Sequence, residues 1–166
     1  MSYPGKLVYN QHHLTYLTNY QTGLSIMINT KIYKSIYVLA EKLLEADSKN
    51  DQKTFDMLYA QLKDLCNENE KSDKDHPEQW ETLADFTEDL DEALVIYQKA
   101  LDKAAAINSK DHLASIAFSM AELQIELGQT EAAIENLQNA KISANKIEDR
   151  EFKVEINELL AKLLAE

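Results

Sequence analysis

The chain has 166 residues, 45% of them apolar, with 17 Lys and Arg against 29 Asp and Glu and a formal net charge of −12. That apolar share excludes a disordered acidic tail, and no run approaches the ~18 uninterrupted apolar residues of a membrane span. One cysteine, Cys66, excludes an internal disulfide framework and fits a reducing, cytoplasmic setting, while three glycines and two prolines leave few turns for many short strands.

Residues 1–24 read as an aromatic arm. The first 40 residues hold six of the eight tyrosines and carry Lys6, Lys31 and Lys34 with no acidic residue. Leu14, Leu17 and Leu24 fit a short helix, yet Leu14 to Tyr20 also suits a strand. Uncharged, tyrosine-rich surface is costly to leave in water, so the arm is expected to pack on the domain or join two copies as a homodimer. Met1 to Lys6 lacks the basic and apolar regions of a secretory signal.

Residues 25–166 read as one helical domain of seven helices. Tyr33, Ile36, Leu39, Ala40 and Leu43 make a first apolar stripe at the 3–4 spacing of a helix. Asp47 to Asp51 interrupts it with turn and cap residues. Phe55, Leu58, Tyr59, Leu62, Leu65 and Cys66 make a second stripe, followed by a polar linker from Asn67 to Asp75. Asp75, Pro77 and Glu78 read as the start of a third helix bearing Trp80, Leu83 and Ala84.

A fourth helix carries Leu90, Ala93, Leu94, Tyr97, Ala100, Leu101 and Ala104. A fifth has Leu113, Ile116, Ala117, Met120 and Ala121, with Gly128 suited to the position after its end. Thr130 is expected to cap a sixth, with Ala133, Ile134, Leu137, Ala140 and Ala144. Asp149 opens a seventh bearing Phe152, Ile156, Leu159, Leu160 and Leu163. Short turns between such helices make antiparallel neighbours, and the fold class is all-α.

The last four helices repeat. An offset of 40 residues aligns Ala93 with Ala133, Tyr97 with Leu137, Ala100 with Ala140 and Ala104 with Ala144. A fixed period of this size marks helical pairs that stack because one pair cannot bury both its faces. Ala93-x3-Tyr97-x2-Ala100, Ala133-x3-Leu137-x2-Ala140 and Trp80-x2-Leu83-Ala84 resemble the tetratricopeptide repeat family, whose small residues let paired helices touch around one large side chain. The period is 40 rather than the family's 34, and its closing proline is missing. The resemblance implies antiparallel hairpins stacked as a short right-handed superhelix, with Trp80, Ala93, Tyr97, Ala100, Ala133, Leu137 and Ala140 as packing residues.

Catalytic signatures are not found. Isolated glycines make no phosphate loop, and the histidines have no metal-ligand spacing, so neither cofactor nor metal is expected and the chain reads as a non-enzyme. Cys66 falls on an apolar stripe, which suits a buried, inert thiol. The acidic surface repels the phosphate backbone of nucleic acid and anionic membrane, and attracts basic proteins.

Carrying the family's groove onto this chain places Glu78, Thr82, Asp85 and Phe86 of the third helix on a concave face. Ser115, Phe118, Glu122, Ile125 and Glu126 of the fifth join them, as do Glu155, Glu158 and Lys162 of the seventh. That implies a partner protein or peptide with basic and hydrophobic groups, with Phe86 and Phe118 as anchors. An adaptor or chaperone is the reading this favours. An immunity-type protein that neutralises a basic toxin domain, or a structural subunit that oligomerises through the arm, are the alternatives.

Overall fold

The computed structural model describes residues 30–166, with side chains from Tyr33 onward. The arm at 1–24 therefore lies outside the described residues, as does the expected homodimer contact through it. The protein is all-α: seven helices and no strand occur among the described residues. They are α1 (Thr30–Ser48), α2 (Gln52–Asn69), α3 (Pro77–Asp85), α4 (Leu90–Ala106), α5 (Lys110–Glu126), α6 (Thr130–Ala144) and α7 (Arg150–Leu164). The chain divides into two compact units, one ending at Glu88 and the other running from Asp89 to Glu166, within the span read from sequence as one domain.

In the first unit, α1 buries Tyr33, Ile36, Tyr37, Ala40, Leu43 and Ala46, the residues its 3–4 spacing puts on one face. Asn50 ends the turn after α1 with φ of 53°, a left-handed conformation that asparagine tolerates better than most residues. The Asp51 carboxylate then accepts the Thr54 amide hydrogen at 3.1 Å and caps α2. Along α2, Phe55, Leu58, Leu62 and Cys66 face α1 and α3. The Cys66 thiol is buried and donates to the Gln79 carbonyl at 3.3 Å.

The start of α3 differs from the expectation by one residue. His76, not Asp75, is the cap, because its ring nitrogen accepts from the Glu78 amide while Pro77 opens the first turn. Asp75 is drawn elsewhere: its carboxylate accepts from the Trp80 indole at 2.8 Å and from the Lys71 amide at 2.8 Å. Asn69 donates to Gln79 at 3.0 Å, so the polar atoms under this turn are bonded to one another.

The second unit has a regular beat. Its helices are capped by Asp89, Ser109, Gln129 and Asp149, equal intervals of twenty residues. Gln129 rather than Thr130 is the cap of α6, and it makes no side-chain bond. Gly128 sits at φ of 71° just past the end of α5, as its freedom from a Cβ allows. The buried residues of α4 are Ala93, Tyr97, Ala100 and Ala104, and those of α6 are Ala133, Leu137, Ala140 and Ala144. The two sets coincide under the 40-residue offset.

The tightest pairing is α5 with α6, as three buried alanines on each helix, Ala114, Ala117 and Ala121 against Ala133, Ala140 and Ala144, let the backbones approach. Phe152, Ile156, Leu160 and Leu163 of α7 close the same core, with the Phe152 ring edge-on to Phe118 at 5.3 Å.

Candidate functional site

α7 positions the most accessible of the expected partner-binding residues. The Asp149 carboxylate accepts the Phe152 amide hydrogen at 2.9 Å and sets where the helix begins. Phe152, Ile156, Leu160 and Leu163 then face the core. A helix that buries those positions must turn Glu151, Val154 and Glu158 outward, with half-buried Glu155 at the edge of that face. Glu151, Glu155 and Glu158, spaced i, i+4, i+7, form one acidic row beside Val154, which is 54% exposed. With Arg150 they line an open depression of about 510 Å³.

Such a surface can hold cationic and small apolar groups. The whole second unit is acidic, with 15 Asp and Glu against 8 Lys and Arg, so the field around α7 favours a basic partner.

The structure brings only part of the expected groove to the surface. Glu155 is half-buried, and Glu126, Glu158 and Lys162 are exposed. Ser115, Glu122 and Ile125 are half-buried, Ile125 against the core of the second unit. Phe118 is a correction. It is 2% exposed within that core, so it stabilises the fold and is not available as an anchor.

Phe86 is a second correction. It is fully buried against Phe55, with ring centroids 6.3 Å apart. Glu78, Thr82 and Asp85 are buried as well, since α3 is enclosed along its whole length. The Thr82 hydroxyl turns back to the Glu78 carbonyl at 2.8 Å rather than outward.

Arg150, Glu151 and Val154 were missed by the groove reading. A signal for Val154 exists in the sequence: it sits two residues from both Phe152 and Ile156, out of step with their stripe. For the enclosure of α5 the signal is the run Ile116-Ala117-Phe118-Ser119-Met120-Ala121, which has no charged face. The packing residues are all buried: Trp80, Ala93, Tyr97, Ala100, Ala133, Leu137 and Ala140. No helix among the described residues is long and apolar enough to cross a membrane. Comparison of the chain with protein-family models, with curated proteins and with solved structures finds no match.

Proposed function

We propose that this chain is a non-enzymatic protein-binding module of the adaptor or chaperone type, holding a partner with basic and apolar groups on the acidic face of its second unit. The observation that carries this reading is the row Glu151, Glu155 and Glu158 beside exposed Val154 on α7. Buried apolar residues hold the helix rigid behind that row, so little ordering entropy is lost when a partner docks. The relation to tetratricopeptide repeats belongs to the same proposal. Coinciding buried positions on α4 and α6 and the twenty-residue spacing of helix starts support it.

Carboxylates at the rim of such a face set association rate and selectivity more than affinity, and salt weakens them. The test is capture from native lysate by the wild type and by a Glu151→Lys, Glu155→Lys, Glu158→Lys variant. Partners held by the wild type, lost by the variant and eluted by moderate salt support the reading. Capture indifferent to both the charge reversal and salt refutes it.

A further inference from the structure

His76 caps α3 by a chemistry different from that of the aspartates capping α2, α4 and α7. Its Nδ1 accepts the Glu78 amide hydrogen, at 3.2 Å. A ring nitrogen accepts only while it carries no proton, and the imidazolium has two donors and no acceptor. The Tyr33 hydroxyl of α1 lies 2.7 Å from Nδ1 and 3.0 Å from Nε2. The two rings meet edge-on, with centroids 5.2 Å apart. One imidazole thus completes the first turn of α3 and joins that turn to α1.

We propose that His76 is a pH-sensitive latch. Neutral, it caps α3 and ties it to α1; protonated on mild acidification, it loses the cap and places a positive charge where the helix directs its amide hydrogens. Among the described residues, three polar or titratable groups beside the ring are these. Tyr33 comes from α1, Asp75 precedes the histidine, and Glu78 follows on α3. Both Asp75 oxygens already accept, from Trp80 and Gln79 on one side and from the Lys71 amide on the other. At this end of α3, α2 presents the neutral Asn69, bonded to Gln79.

The sign follows from linkage. The native cap needs a neutral ring and the unfolded chain does not. The unfolded state therefore binds more protons once pH falls through the ordinary imidazole range near ~6.5, and stability declines with it. At nine residues α3 is too short to persist on its own propensity, so the cap matters.

Two measurements test this on the full chain. In wild-type protein, NMR should show the His76 ring titrating together with the Glu78 amide resonance. Exchange of that amide, corrected for its intrinsic rate, should be about fivefold faster at pH 5.5 than at pH 7.5, the ordinary worth of a cap. In melting experiments His76→Asn keeps an oxygen acceptor that does not titrate. Its melting temperature should fall less between those pH values than that of the wild type, both chains keeping the other three histidines. An imidazole titration that leaves the Glu78 amide unmoved, or an equal fall in both proteins, overturns the latch.

Discussion

Phe118 is the residue whose role changes most between the linear chain and the folded one. It lies two residues from Ile116 and Met120, which puts it off their stripe, yet its ring packs edge-on against Phe152 inside the second unit's core. Phe118→Ala should therefore destabilise by about 3–5 kcal/mol, as removal of a buried aromatic does, measured by urea denaturation. Ala100 makes the opposite case: with no exposed surface, it has no room for a larger side chain. Ala100→Leu should cost about 1–3 kcal/mol through overpacking, and a neutral result would place this alanine at the surface. At the start of α2, the Thr54 hydroxyl and amide hold the Asp51 carboxyl below its ordinary value. Its contribution to stability is present above the unfolded carboxyl value, near ~3.9, and is lost as pH falls through the lower folded value. Asp51→Asn should remove that part of the acid dependence between pH 5 and 2, read by circular dichroism.

At the scale of the element, what separates the helices is the number of sides that other helices cover. One face of α7 meets the core and the other carries Glu151, Val154, Glu155 and Glu158, so its sequence alternates faces in the usual way. By contrast, α5 packs between α4 and α6 and touches α7 through Phe118, and its central run from Ile116 to Ala121 carries no charge and is buried throughout. Its termination is equally specific. A Cβ at Gly128 would meet nothing within 4 Å, so the cost of a side chain there is purely the left-handed backbone. Gly128→Ala should destabilise by about 1 kcal/mol, checked by thermal melting against wild type.

For the molecule as a whole, charge is the dominant constraint beyond the helices themselves. A formal net charge of −12 makes the folded chain repel itself, and the Lys49–Glu45 ion pair is exposed, where attraction is weak. Raising sodium chloride from about 20 to about 200 mM shortens the screening length several-fold, to under ~10 Å. The melting temperature should rise across that range, while binding of a basic partner through α7 should weaken. Opposite salt responses in the two measurements would separate self-repulsion from partner attraction.

The amino-acid sequence by itself determined the seven helices, their order and most of their ends. Those properties depend on neighbours three or four residues apart and on local cap chemistry. Ala93, Tyr97 and Ala100, with Ala133, Leu137 and Ala140, were legible as buried because their spacing and small size allow close helix contact. Only the tertiary structure decided that Glu78, Thr82, Asp85 and Phe86 are enclosed on α3 and that Glu158 is open on α7. A helix's own periodicity states which residues share a face, but not how many neighbours surround it. His76 shows the same division at a single residue. Its place before Pro77 marks a helix start, while its pairing with Tyr33 joins positions 43 apart and needs the fold to exist.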